Sequence, residues 1–263
     1  MTRAAIIGAA GRMGRELCRA VLESEDLELA GGVVRSGSEH LGEDLGELCG
    51  WGRAGVAATE VPPEDAEVLI EFTTPEATVE HLACAKPAVI GTTGLSGEQT
   101  EQVREAAGRV PIVLAPNTSV GVNLLREVVH LLSERLGEDY DIELVEAHHR
   151  NKRDAPSGTA LLLARAAAEG RGVKLEEVAT FGREGVTPRK KGEIGVHAVR
   201  GGAVVGEHRL LFLGDDEEVE VTHRALSRRV FAAGALRAAR FVVSAPPGLY
   251  SMRDVLSGAP RRG

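Results

Sequence analysis

AAIIGAAGRMGRELC, residues 4–18, is the stretch on which the fold turns. A short run of Ala and Ile breaks at Gly8, glycines recur at Gly11 and Gly14, and apolar residues then return at helical intervals. Strand, glycine turn and helix in that order are how a dinucleotide-binding fold begins. Gly8 permits the tight turn, Gly11 lets the backbone approach a pyrophosphate, and the helix start presents N–H groups and the positive end of its dipole. The spacing is GxxGxxG rather than the commoner GxGxxG. Glycines that merely turn the chain or pack a helix would look the same, so the weight falls on the surroundings.

Those surroundings repeat the pattern. LELAGGVV, VLIEFT, AVIGTT and PIVLAPN are short Val, Ile and Leu runs without alternation, as parallel strands covered on both faces should be. PEATVEHLACA and GEQTEQVREAA between them have helical spacing. The first half is therefore α/β, a Rossmann-type doubly wound parallel sheet. Residues 121–136, GVNLLREVVHLLSERL, carry apolar side chains at 124, 125, 128, 129, 131, 132 and 136, which predicts a helix with a broad buried face.

From Asp141 the pattern changes. DIELVEAHH reads as a strand, SGTALLLARAAAEG as a helix closed by Gly170, and residues 194–225 as a strand-rich block, with two strands joined at Gly201-Gly202 and another after Asp215-Asp216. This is an α+β second domain with an open, mostly antiparallel or mixed sheet, one face on a helix and the other turned to water or another subunit. The last helix, about 227–243, and the tail to Gly263 fit either domain. The division adopted is a dinucleotide-binding domain at 1–119, with 229–263 packing back onto it, and a second domain at 120–228. No internal repeat is visible, and the end PRRG is merely polar.

Composition narrows the function. The chain has 263 residues, a formal net charge of −8 and 3% aromatic residues, which disfavours nucleic-acid binding. No apolar run nears bilayer-spanning length and no signal-peptide pattern is present, so a soluble, unprocessed protein is expected. Cys18, Cys49 and Cys84 are odd in number and in no CxxC pair, which points to reduced thiols in a cytoplasm. No metal is expected, because His148 and His149 would point apart on a strand and no metal-ligand spacing occurs.

Against that acidic background HHRNKRDAPSGTA, residues 148–160, is a cationic island: five of its first six positions can carry positive charge. It runs into a helix start where Ser157 and Thr159 flank Gly158. Amides and hydroxyls there can grip a carboxylate, and His149, Arg150, Lys152 and Arg153 raise the local potential. Ser157 taken alone reads rather as a helix cap. The run as a whole costs like-charge repulsion without helping the fold, which favours a site for a small anion.

The ribose end chooses between cofactors. An acid at the end of the second strand would bind the ribose hydroxyls, but that end reads Val33, Val34, Arg35. Glu28 lies six residues before Val34, too far along an extended strand. Arg35, with Arg12 of the glycine loop, suits a 2′-phosphate, so NADPH is favoured and NADH is a usable second. Both arginines also read as plain surface charges. GTTG (91–94) and APNTSVGVN (115–123) follow strands and should line the nicotinamide end, unless they are only capped turns. His197, His208 and His223 in strands, and the isolated His40, His81 and His130, read as structural or surface residues.

Taken in order, GAAGRMG, EFTTPEA, VIGTTG, APNTSVGVN, EAHHRNKRDAPSGTA, VGEH and MRDVL span almost the whole chain, which resembles the 4-hydroxy-tetrahydrodipicolinate reductase family, long called dihydrodipicolinate reductase. The resemblance implies NAD(P)H-dependent reduction of 4-hydroxy-tetrahydrodipicolinate to tetrahydrodipicolinate with loss of water, in bacterial lysine and diaminopimelate synthesis. It implies two domains that close over cofactor and substrate, and a homotetramer built from the second-domain sheets. Gly8, Ala9, Ala10, Gly11, Arg12, Met13, Gly91, Thr92, Thr93, Ala115, Pro116, Asn117 and Thr118 would contact cofactor. His148 would be the proton donor or acceptor and Lys152 a second proton donor, while His149, Ser157, Gly158 and Thr159 would hold substrate. Two positions depart from the family: Val34 stands where an acid is common, and Thr118 where an aromatic is frequent. Two other readings share some of these features. A nicotinamide dehydrogenase for another small acid would not need HHRNK with PSGT, and a redox sensor that binds NADPH without turnover would not need clustered acids.

Overall fold

The structure is a computed structural model describing residues 1–258; the last five residues, including the polar end PRRG and the close of the segment 229–263, lie outside the described residues. The chain forms two compact units, residues 1–120 with those from Arg228 onward, and residues 121–227. In chain order the first stretch runs β1 (Thr2–Ile7), α1 (Arg12–Leu22), β2 (Leu27–Val33), α2 (Leu45–Leu48), β3 (Ala58–Thr59), β4 (Val68–Glu71), α3 (Pro75–His81), β5 (Ala88–Ile90), α4 (Gly97–Ala107) and β6 (Pro111–Leu114). Then come α5 (Val120–Leu136), β7 (Asp141–His148), α6 (Gly158–Gly170), α7 (Leu175–Val178), β8 (Ala179–Phe181), β9 (Ile194–Arg200), β10 (Gly206–Leu213) and β11 (Glu218–Ala225). The chain closes with α8 (Arg229–Ser244), β12 (Gly248–Tyr250) and α9 (Met252–Ser257).

The first unit is a seven-stranded parallel sheet in the order β12-β6-β5-β4-β1-β2-β3. From β1 the chain builds outward through β2 and β3, then restarts on the other side of β1 with β4. That reversal opens a crevice at the carboxyl ends of β1 and β4. Ala4, Ile6, Val68 and Ile70 bury one face of the central strands against α1 and α8, and Ala5, Ile7, Leu69 and Ile90 bury the other with Val103 and Ala106 of α4. Each Val, Leu or Ile side chain so buried contributes about 1.5–3 kcal/mol. The helix ends are locally encoded: Thr74 caps α3 ahead of Pro75, and Ser96 with Gln99 forms a capping box on α4. The short strands β3 and β12 have no counterpart in the sequence reading, since two or three residues are too few to show a period.

The second unit is a five-stranded mixed sheet, β11-β10-β7-β9-β8, with parallel pairing of β7 and β8 to β9 and antiparallel pairing of β10 to β7 and β11. The strands either side of Gly201-Gly202 are not partners: β7 lies between β9 and β10, and the Gly201 amide donates to the His148 carbonyl (2.9 Å) as the connection passes the end of β7. Alternate residues of β7 are buried: Ile142, Leu144, Glu146 and His148 lie on the covered face, and Ile142 and Leu144 share a core with Leu163, Ala164 and Ala167 of α6. The opposite face is partly open, with Val199 51% exposed and cross-strand pairs Glu207–Arg224 and Arg209–Glu220.

Helix α5 buries a narrower face than its pattern predicts. Val129 is buried and Leu125, Leu132 and Leu136 pack on the core, but Leu124, Val128 and Leu131 are 48, 42 and 50% exposed. Close approach to α6 decides which stripe wins. A side chain on Gly170 would meet the His130 carbonyl at 2.5 Å, and buried Ser133 donates to the Ala167 carbonyl at 2.6 Å.

Candidate active site

The glycine turn lies at the β1–β4 reversal. Gly8 has φ +83°, and an added Cβ would stand 2.9 Å from the Thr73 methyl and 3.1 Å from the Phe72 carbonyl. A Cβ on Gly14 would overlap the Gly8 carbonyl, so the first helical turn rests directly on the loop. Helix α1 starts at Gly11 with no side-chain cap and no acid in its first turn. This cradle fits a pyrophosphate: amides at a helix start with no competing carboxylate and no Cβ in the way. Gly11 and Arg12 are exposed, Ala9 and Gly14 are buried, and Ala10 and Met13 are half-buried.

The amides of Gly8 and Ala9 both donate to the Val33 carbonyl at 2.9 Å, which ties the turn to the end of β2. Arg35 leaves that end exposed, and neither it nor Arg12 forms an ion pair among the described residues. Glu28 is at the other end of β2, paired with Arg3. The β5 and β6 ends supply two more loops. Gly91 lies under Phe72, whose ring a Cβ would overlap; Thr92 is buried and Thr93 exposed. Ala115 is buried, Pro116 exposed, and the Asn117 side chain accepts from the Ser119 amide at 2.9 Å. Thr118 is fully buried and donates to the Phe231 carbonyl at 2.7 Å, while Gly234 leaves room for the Thr118 carbonyl. Thr118 thus anchors α8.

In the second unit His148 ends β7 and is 9% exposed. Its Nδ1 lies 2.6 Å from Glu146 Oε2, so Nδ1–H donates to the carboxylate and Nε2 is the nitrogen left for exchange. Gly206 starts β10 beside that nitrogen, with space for a Cβ only 3.0 Å from it. Glu146 is fully buried, and Arg200 forks onto it with bonds of 2.8 and 2.7 Å while the Ser157 amide donates at 3.0 Å. Burial pushes the Glu146 carboxyl up, but bonds from Arg200, His148 and Ser157 outweigh it and hold it below the usual range. His148 is pushed down by burial, partly countered by Glu146. A neutral imidazole held in one tautomer by an ionised carboxylate is poised for proton transfer.

Ser157 caps α6, its Oγ accepting from the Ala160 amide at 3.1 Å, and lies 3.1 Å from His208 Nε2. His208 Nδ1 is buried without a partner. An orphaned donor costs more than an orphaned lone pair, so Nε2 carries the hydrogen and donates to Ser157. That leaves the Ser157 proton for an acceptor outside. Gly158 is exposed, and His149 and Thr159 are half-buried at the same helix entrance. Lys152, also half-buried, reaches Asp154 at 2.9 Å, while Arg150 and Arg153 are exposed. The structure thus brings His148 and Ser157 together, through Glu146 and His208.

Burial, reinforced by His148, pushes His208 down from 6.5 to about 3. Protons then bind the unfolded chain first, so this contribution to stability is complete above pH 6.5 and is lost as pH falls toward 3. Melting temperature should fall on acidification from about pH 6.5 to 5, above the carboxylate range, and fall less in His208→Gln. Equal slopes in the two proteins would take His208 out of the transition.

Glu146, Arg200 and His208 were not among the expected site residues. Glu146 stands two residues before His148 and so on the same strand face, a signal present in the sequence. Arg200 is its neighbour only through the register His148↔Arg200 of two parallel strands.

Family models of the dihydrodipicolinate reductase N-terminus and C-terminus match residues 2–118 and 121–256. The chain belongs to the dihydrodipicolinate reductase family. It is 72% identical over 260 residues to the 4-hydroxy-tetrahydrodipicolinate reductase of Rubrobacter xylanophilus, covering 99% of this chain and 100% of that one. It is 53% identical to that of Methanopyrus kandleri, covering 97% of each. Among solved structures, a dipicolinate-bound dihydrodipicolinate reductase from Paenisporosarcina sp. is similar with a TM-score of 0.73 at 26% identity, covering 95% of this chain and 97% of that chain. An amine dehydrogenase from Mycobacterium smegmatis, 14% identical with a TM-score of 0.61, shares the fold alone. The parallel sheet and the second mixed sheet are those of this reductase family, and the α/β reading of the sequence stands.

Proposed function

We propose that the protein reduces 4-hydroxy-tetrahydrodipicolinate to tetrahydrodipicolinate, releasing water and oxidising NAD(P)H, in lysine synthesis through diaminopimelate. The observation that carries this is the buried Glu146–His148–Ser157 cluster at the entrance of α6, in a chain matched along its length by reductases of that name. A bound nicotinamide supplies the hydride. The loops at 8–13, 91–93 and 115–118, with Arg35, would hold it, Thr92 and Thr118 through their main chains because both hydroxyls bond within the fold.

For the ring, first-turn amides of α6, the outward proton of Ser157, Thr159 and His149 offer donors to carboxylates. That a 26% identical relative binds dipicolinate supports a ring dicarboxylate here. Once water has left the 4-hydroxy ring, hydride addition to the resulting conjugated C=C–C=N system builds negative charge on its far atom. The Lys152 ammonium, held by Asp154, is the acid that would quench it, and His148 would be a second once Nε2 has taken up a proton, with Glu146 stabilising the imidazolium. Orientation of the ring by both carboxylates supplies the rest. Following cofactor absorbance with freshly generated substrate tests the assignment. Oxidation only with other small acids would favour a different dehydrogenase, and binding without oxidation would favour a sensor.

We further infer a preference for NADPH over NADH from Arg35 and Arg12. Arg35→Ala should weaken NADPH roughly tenfold and NADH little, the loss of one charge-assisted bond. Equal losses in titrations with the two cofactors would remove Arg35 from the phosphate. The open face of the five-stranded sheet supports assembly into a homotetramer, which sedimentation equilibrium would check. No helix among the described residues is long and apolar enough to cross a membrane. The free cysteines support a cytoplasmic place.

A further inference from the structure

We propose that Glu71, at the carboxyl end of β4, is a positioning residue for the dinucleotide: through Thr78 and Thr92 it fixes the loops 72–74 and 91–93 beside the glycine turn. This rests on the nicotinamide reading above. Glu71 is 3% exposed, yet its register partners on either side are Ile7 and Ile90, both fully buried aliphatics. Packing alone would favour a third aliphatic there, because a buried carboxylate is costly unless donors surround it. They do: Thr73 Oγ1 at 2.5 Å, His81 Nδ1 at 3.0 Å and Thr78 Oγ1 at 3.2 Å all converge on Glu71 Oε1.

Thr78 Oγ1 also bonds Thr92 Oγ1 at 2.8 Å, and the Thr92 oxygen accepts the Thr73 amide at 3.2 Å. One hydroxyl of α3, shared between Glu71 and Thr92, therefore ties the β5 loop to the β4 loop. The β4 loop meets the glycine turn, with the Thr73 methyl and Phe72 carbonyl 2.9 and 3.1 Å from where a Gly8 Cβ would be, and the β5 loop packs on that loop through Gly91 against the Phe72 ring. A shift in either loop therefore deforms the pyrophosphate cradle. His81 is pushed up by its bond to Glu71, against the effect of burial.

The test is calorimetric titration of the whole protein with NADPH, comparing Thr78→Val, which keeps shape and removes the hydroxyl, with Thr78→Ser, which keeps the hydroxyl. Thr78→Val should raise the NADPH Kd roughly 5- to 10-fold, and Thr78→Ser should bring it back to within about twofold of the parent. Turnover at saturating cofactor and the Kd for pyridine-2,6-dicarboxylate should stay at parent values in Thr78→Val, which general misfolding would not allow. A parent-like NADPH Kd in Thr78→Val, or a Ser variant as weak as the Val variant, overturns the proposal. Glu71→Gln should weaken NADPH roughly 10- to 100-fold, and unchanged binding there overturns it too. If that variant fails to fold, the Thr78 pair decides. Failure of the parent protein itself to bind NADPH would instead count against the cofactor reading.

Discussion

Replacing His148 by Ala should lower turnover by roughly 10²- to 10⁴-fold, the usual contribution of a positioned acid or base, and Lys152→Ala should do the same. The two side chains reach their roles differently. His148 is buried, held in one tautomer by Glu146, with the space before Nε2 kept open by Gly206. Lys152 is half-buried and paired with exposed Asp154. Both substitutions should leave NADPH affinity at the parent value, because the glycine turn belongs to the other unit. Steady-state kinetics decide the matter: near-normal turnover in both variants would remove them from proton transfer. A fall in turnover matched by a fall in cofactor affinity would mark a folding defect.

Arg200→Ala should destabilise the second unit by about 3–5 kcal/mol, because it strands a fully buried carboxylate. Among the groups that hold the Glu146 carboxyl below its usual range against burial, the two Arg200 bonds have the largest effect, so their loss moves it up. The sign in pH follows. The stranded charge is most costly at neutral pH and above, so the loss should shrink as the medium is acidified and Glu146 takes a proton. Urea unfolding at several pH values measures this. A loss under about 1 kcal/mol at neutral pH would mean that water or another donor replaces the guanidinium. Arg200→Lys keeps charge but not the fork, and should recover only part of the stability.

The same contrast shows what was legible beforehand. The glycine turn, the βα alternation of the first half and the cationic run at 148–153 follow from local rules, and the structure bears out the α/β sheet they predict. Very short elements such as β3, β8 and β12 escaped, since two or three residues carry no period. Helix α5 misled because seven apolar side chains exceed the face that α6 covers, and three of them are exposed. The histidines in strands look alike in sequence, yet His208 lies within hydrogen-bond reach of Ser157.

Sequence by itself determined the order of strands and helices, the turn that a dinucleotide needs and where positive charge gathers, because periodicity, glycine and charge act on neighbours a few residues away. Only the tertiary structure decided that Glu146 meets Arg200 across 54 residues, that His208 meets Ser157 across 51, and that Thr92 and Thr118 turn their hydroxyls inward. A polar side chain takes its chemical character from burial and from the partner it finds, and both are set by strand register and helix packing between segments remote along the chain.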